Sequence, residues 1–132
     1  MKKNLVLLAM LMPMTSGADQ LVVARTIRLS TAEDLAFANE IDASIHTVST
    51  SVTTCVDSGQ DVKACQCKHA GAVMKLKKTT NRVLKQRPAW NADDVVLYWE
   101  TKGTPGEPPT MSHNVAAGRI VKFADQSLAD CK

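Results

Sequence analysis

Apolar residues recur at spacings of three and four between residues 38 and 55, a pattern that predicts a long amphipathic helix. The stripe is Ala38, Ile41, Ile45, Val48, Val52 and Cys55, the kind of seam with which one helix packs along another. Ser30 and Glu33 lie three residues apart just before it and predict a capping box. We therefore expect a helix from about Thr31 to Asp57.

A second stripe follows a predicted turn, in which Gly59 takes the left-handed position after the first helix and Asp61 caps the next. This next helix is expected to run to about Arg87, because Pro88 does not favour its continuation. One face carries Val62, Val73, Leu76, Val83 and Leu84, and the opposite face carries Lys68, Lys75, Lys78, Arg82 and Lys85. The two helices are predicted to form an antiparallel hairpin.

The remaining segments give weaker patterns. Residues 21–29 favour a short strand, whereas residues 94–100 fit a helix or a strand equally well. The segment from Thr101 to Pro109 is rich in proline and glycine and predicts an exposed loop. A last helix is expected from about Asn114 to Asp130. The predicted fold is thus mainly α, a disulfide-stapled hairpin plus a C-terminal helix, with one short β pairing left open.

The first 18 residues have the features of a secretory signal peptide. Lys2 and Lys3 precede a short apolar run, and Ser16-Gly17-Ala18 provides small residues for cleavage before Asp19. The apolar run is about half of the roughly 20 residues that span a bilayer. We therefore expect a periplasmic or secreted chain with no transmembrane segment, folded as one small domain over residues 19–132.

Removal of the signal lowers the formal charge from +3 to +1, because both of its lysines are lost. This near-neutral balance gives no support to a nucleic-acid-binding protein, which must neutralise phosphates.

The four cysteines predict two disulfides in an oxidising compartment. Across the predicted turn Cys55 lies opposite position 64, which makes Cys65 its natural partner. Cys65 and Cys67 are about 200° apart on a helix, so they do not both face the first helix. We therefore pair Cys55 with Cys65 and Cys67 with Cys131; the competing arrangement pairs Cys55 with Cys67.

The same segment, Cys65-Gln66-Cys67-Lys68-His69, also has residues that bind soft metals. Only Cys65 and His69 share a helix face, however, and disulfide formation removes the thiolates. We expect no metal and no cofactor. The sequence has no nucleophile elbow, zinc-protease or phosphate-loop motif, and we do not expect an enzyme.

Charge is segregated between the two predicted helices. Residues 29–61 carry six acidic residues and no lysine or arginine, whereas residues 62–91 carry eight basic residues and no acidic one. The basic side is either a solvated helix face or a docking surface for an anionic partner. Trp90 and Trp99 either complete the core or anchor a partner. The candidate contact residues are Lys75, Lys78, Arg82, Lys85, Trp90 and Trp99.

These observations favour an exported, non-catalytic binding protein, of inhibitory or immunity type, that acts on a protein or another anionic macromolecule. The alternative is a periplasmic carrier of a small apolar ligand or a metal ion.

Overall fold

A computed structural model describes residues 24–106 and 110–131. Within these ranges the chain is mainly helical and has a small three-stranded sheet. The elements in chain order are β1 (Arg25–Arg28), α1 (Ala32–Asp57), α2 (Val62–Lys68), α3 (Ala70–Gln86), a 3₁₀ turn (Pro88–Trp90), β2 (Val95–Lys102), β3 (Thr110–Val115) and α4 (Ala117–Ala129). The predicted signal peptide lies outside the described residues.

Helix α1 begins one residue later than predicted. Thr31, not Ser30, is its N-cap, and the Thr31 hydroxyl accepts a hydrogen bond from the backbone N–H of Asp34 at 3.1 Å. This hydroxyl satisfies one of the free N–H groups of the first turn. Of the predicted stripe only Ile45 is half-buried; the other members are buried, together with Val56.

The predicted second helix is two helices, α2 and α3, separated at His69. The start of α2 is as predicted: Gly59 has a φ of 104°, and the Asp61 carboxylate accepts from the N–H groups of Lys63 and Ala64. The single-helix prediction is wrong at the break, which lies two residues after Cys67 and two residues before Gly71. Glycine is a poor helix former, and apolar periodicity carries no signal for such a break.

Two disulfides hold α2 between its neighbours. Cys55 of α1 is bonded to Cys65, and Cys67 is bonded to Cys131, which follows α4. This is the pairing that the helical spacing favours. The Lys63 ammonium adds to the second link, because it donates to the carbonyls of Gln126 and Ser127 at the end of α4.

The ambiguous segment at residues 94–100 is a strand, β2, and it is the centre of the sheet. It pairs in parallel with β1 (Arg25 opposite Val95) and antiparallel with β3 (Trp99 opposite His113). The loop predicted for residues 101–109 therefore begins two residues too early, since β2 continues to Lys102. The predicted start of the last helix at Asn114 is also too early. Asn114 belongs to β3, and the helix begins at Ala117.

The core lies between one face of this sheet and the helices. Val95, Leu97 and Trp99 alternate along β2 toward the helices and are buried, whereas Val96 and Tyr98 on the other face are half-buried. Helix α3 packs on α1 and on α4. Within the described ranges, no helix combines the length and the apolarity needed to cross a bilayer.

Candidate macromolecule-binding surface

Helix α3 has a buried apolar side and an exposed basic side. Its buried residues are Val73, Leu76, Thr80, Val83 and Leu84. Lys75, Lys78, Arg82 and Lys85 are all exposed; we call this set the basic face. At 100° per residue it spans about 80° and lies opposite the buried side. The core therefore does not require these four side chains.

Two other cations, one on α3 and one just after it, are paired with acidic residues of neighbouring helices. Lys77 Nζ lies 2.5 Å from an oxygen of Asp125 on α4. Arg87, just after α3, forms ion pairs with Glu33 and Asp34 at the start of α1, the latter at 2.6 Å. These pairs fix α3 against α1 and α4 and partly neutralise its flanks.

Arg87 closes the end of α3 onto the start of α1. Its guanidinium lies 5.2 Å from the ring centroid of Phe37. The hydrogen bonds to Asp34 and Glu33 raise the pKa of Arg87 above its ordinary value, against a smaller effect of desolvation. This arginine therefore has a structural role and is not part of the basic face.

Within the basic face the four cations are not equivalent. Arg82 is ion-paired with Glu40 of α1. Lys75, Lys78 and Lys85 have no ion-pair partner among the residues that the structure describes. Since residues 62–91 contain no Asp or Glu, the helix itself supplies no counter-charge. Within the basic face, these three lysines are therefore more available to a partner than Arg82.

The basic face is bordered by uncharged residues. Met74 precedes Lys75 and is 39% exposed, and Gly71, one turn earlier, has open space where a Cβ would lie. Asn81 is also exposed. The surface thus combines a row of positive charges with an accessible thioether, and methionine is enriched in protein interfaces.

The two tryptophans predicted as candidate contact residues lie in the core. Trp90 is 3% exposed and Trp99 is 1% exposed. A side chain buried to this extent presents almost no area to a partner, which fits the alternative that these rings complete the core. We therefore leave both out of the binding surface.

A second cluster of polar side chains lies where β3 meets α1. The ring of His113 stacks on that of Trp99 with 5.0 Å between centroids. His113 Nε2 is 2.9 Å from the Thr101 hydroxyl, and its Nδ1 is 3.7 Å from a carboxylate oxygen of Asp42. The sequence alone showed no motif around His113, because its neighbours come from two other elements.

Hydroxyl, imidazole and carboxylate follow one another here in the order found in acyl-transfer enzymes. The His113–Asp42 distance exceeds that of a hydrogen bond, however, so the carboxylate does not orient the ring. The stacking on Trp99 and the contact with the Thr101 hydroxyl tie β3 to β2.

The cysteines of the suspected soft-metal segment are both consumed by disulfides. Among the described residues, no group of three His, Cys, Asp or Glu side chains is arranged to hold a metal ion.

Comparison with known proteins gives no relative: no family model, no curated protein and no solved structure shows a significant match to this chain.

Proposed function

We propose that this protein is an exported, non-catalytic binding protein, of inhibitory or immunity type, that docks on an acidic protein through the basic face of α3. The observation that carries the proposal is the row formed by Lys75, Lys78 and Lys85. These side chains are exposed, have no ion-pair partner in the described part of the chain, and share a helix without acidic residues. Unpaired cations on one rigid helix speed association with an acidic surface and select against basic ones.

An acidic protein is favoured over a membrane because the apolar side of α3 is already buried in the core of the protein. Interfacial helices insert their apolar face among lipid chains, whereas Val73, Leu76 and Val83 are fully buried in the core here. Only electrostatic attraction to lipid headgroups would remain. A polyanionic glycan is less favoured, because Met74 beside the lysines offers an apolar contact that suits a protein surface.

The proposal includes the antiparallel hairpin as the rigid support for the basic face. Contacts from Asp34 to Arg87, from Glu40 to Arg82 and from Cys55 to Cys65 support this arrangement. It also includes export to the periplasm or the medium, with which two disulfides agree. Recovery of the chain with Asp19 as its first residue tests the export.

The binding proposal is tested by photo-crosslinking in the native host. A photoreactive amino acid replaces Met74, beside the lysine row, and adducts are identified by mass spectrometry. We expect one acidic protein to be crosslinked. The adduct is expected to disappear in the triple variant Lys75→Glu, Lys78→Glu, Lys85→Glu, because the face then repels the partner.

Two controls separate this result from misfolding and from random collision. The variant with arginine at the same three positions keeps the charge and is expected to keep the adduct. The same photoreactive residue at Thr50, exposed on α1, is expected not to yield it. The proposal fails if the adduct survives the glutamate substitutions, or if only anionic vesicles or an anionic polysaccharide bind the purified protein.

A further inference from the structure

The two edges of the sheet differ in a way that bears on self-association. The strand order is β1-β2-β3, so β1 and β3 each have one side without a strand partner among the described residues. The outer backbone groups of an edge strand can pair with another chain, and proteins usually block such pairing with charged residues or proline. Only one of the two edges carries this protection.

Strand β1 is protected at both ends. Arg25 and Arg28 are exposed on this four-residue strand. Ion pairs with Asp94, just before β2, and with Glu100 of β2 hold them in place. If β1 paired with β1 of a second copy, arginines would be brought together across the new edge, which is unfavourable.

Strand β3 has no such protection. Its six residues, Thr110 to Val115, contain no Asp, Glu, Lys, Arg or proline, and the first three and Asn114 are exposed. Met111 is 58% exposed, more than Met74, the other exposed large hydrophobic residue in the described part of the chain. This uncharged edge is longer than β1 and is open to solvent.

We propose that β3 pairs antiparallel with β3 of a second copy of this chain, so that two sheets join into one of six strands. One register about a two-fold axis suits the sequence. With His113 opposite His113 of the partner subunit, Met111 lies opposite the partner's Val115, and Ser112 lies opposite the partner's Asn114. Met111 and Val115 then share one face with His113, and the uncharged polar residues Ser112 and Asn114 share the other.

The second copy is favoured as occupant because the strand is complementary to itself. It pairs Met111 with Val115 and Ser112 with Asn114, and it brings no Asp, Glu, Lys or Arg side chains together. A single strand pair is a small interface, however, so the dimer is expected to be weak and concentration-dependent. This inference uses a different surface from the basic face of α3 and does not depend on the proposed function.

The test is analytical ultracentrifugation of the purified, oxidised protein from about 1 µM to about 1 mM, the range in which a small interface associates. We expect a monomer–dimer equilibrium. Ser112 and Asn114 are both exposed on the outer face of β3, so they can be charged without disturbing the core. The double variant Ser112→Lys, Asn114→Lys and its glutamate counterpart should each associate about tenfold more weakly, because like charges face one another across the two-fold axis.

Mixing the two double variants keeps the test independent of folding defects. The lysine variant then faces the glutamate variant, and we expect a mixed dimer at least as stable as the wild-type dimer. As a control, Thr26→Lys on the opposite edge should leave self-association unchanged. Amide hydrogen exchange at residues 110–115 should slow as the protein concentration rises.

Three results would overturn the proposal. The first is a wild-type protein that stays monomeric at about 1 mM, where weak dimers form, which would leave the edge to a foreign peptide or to no partner. The second is a dimer that the like-charge variants do not weaken. The third is a mixture of the two variants that forms no mixed dimer although both are folded.

Discussion

At the scale of single residues, the pair Arg25–Asp94 joins the two parallel strands across 69 positions of sequence. The guanidinium donates to both carboxylate oxygens, at 2.8 and 3.2 Å, and the backbone N–H of Arg25 donates to the Asp94 carbonyl. The hydrogen bond from Arg25 lowers the pKa of Asp94 below its ordinary value of 3.8; desolvation opposes this shift, and the charge of Arg25 adds to it. Folding therefore stabilises the ionised form of the Asp94 side chain relative to its protonated form.

This shift predicts a specific loss of stability in acid. A carboxyl whose pKa is lowered on folding contributes its full stabilisation above the unfolded pKa, and the contribution disappears as the pH falls through the folded pKa. For Asp94 the loss begins near pH 3.8 and continues below it. The variant Asp94→Asn should lack this part of the pH dependence when thermal unfolding is followed between about pH 2 and 6.

The matched control is Asp57→Asn, because Asp57 is exposed at the end of α1 and none of the described ion pairs involves it. The curve of this variant shows how much of any change comes from replacing an exposed carboxyl that lies outside the described ion pairs. Parallel curves for the wild type and Asp94→Asn would contradict the role given to the pair.

At the scale of elements, two helical glycines make opposite predictions. A Cβ on Gly118 of α4 would lie 2.7 Å from the carbonyl oxygen and 2.8 Å from the nitrogen of Ala92. These are backbone atoms, and they cannot move aside as a flexible side chain can. Gly71 near the start of α3 has no atom within 4 Å of the same position.

We therefore expect Gly118→Ala to lower the free energy of unfolding by about 1 to 3 kcal/mol through overpacking. Gly71→Ala should raise it by about 0.5 to 1 kcal/mol, because alanine loses less conformational entropy in a helix. Denaturant unfolding of both variants measures the two effects, and the pair controls for the alanine substitution itself. Equal changes in both variants would show that α4 does not approach Ala92 so closely.

The elements also show how far the sequence predicts the structure. The apolar spacing of α1 and the turn signals at Gly59 and Asp61 are local, and both are found where they were predicted. The partners of β2 are not local: β1 lies some 70 residues earlier, and β3 follows a segment rich in proline and glycine. A short apolar run such as Val95–Trp99 has no periodicity that separates strand from helix, so its pairing was not predictable.

The same distinction applies to the candidate site. The basic face follows from helical spacing alone, because Lys75, Lys78, Arg82 and Lys85 recur at three and four residues. Which of these cations is neutralised depends on α1, where Glu40 reaches Arg82. Tertiary packing also places Trp90 and Trp99 in the core. From the sequence, burial in the core was only one of two alternatives for these residues.

At the scale of the whole molecule, the two disulfides enclose very different lengths of chain. Cys55–Cys65 closes a separation of 10 residues and Cys67–Cys131 one of 64. On the chain-entropy model, each bridge lowers the entropy of the unfolded chain. This raises the free energy of the unfolded state by about 3 kcal/mol for the short loop and about 4 kcal/mol for the long one. The longer link also encloses the whole described sheet except β1, and it connects α2 to the end of α4.

Removing the bridges one at a time should lower the free energy of unfolding more for the longer loop than for the shorter one. The variant Cys67→Ser, Cys131→Ser is expected to lose about 1 to 2 kcal/mol more than Cys55→Ser, Cys65→Ser, because a longer loop is released in the unfolded chain. Denaturant unfolding of the two variants, with the remaining bridge verified by peptide mapping, measures the difference. An equal or reversed order would mean that strain or residual structure outweighs loop length.

The positions of the four cysteines also set the order in which the two bridges can close as the chain enters an oxidising compartment. Cys55 and Cys65 emerge within ten residues of each other, so their bridge can close while most of the sheet is still unmade. Cys67 must wait until β2, β3 and α4 have followed. During that interval its thiol lies two residues from Cys65 and competes for Cys55, so rapid closure of the first bridge protects the chain from being oxidised into the wrong form.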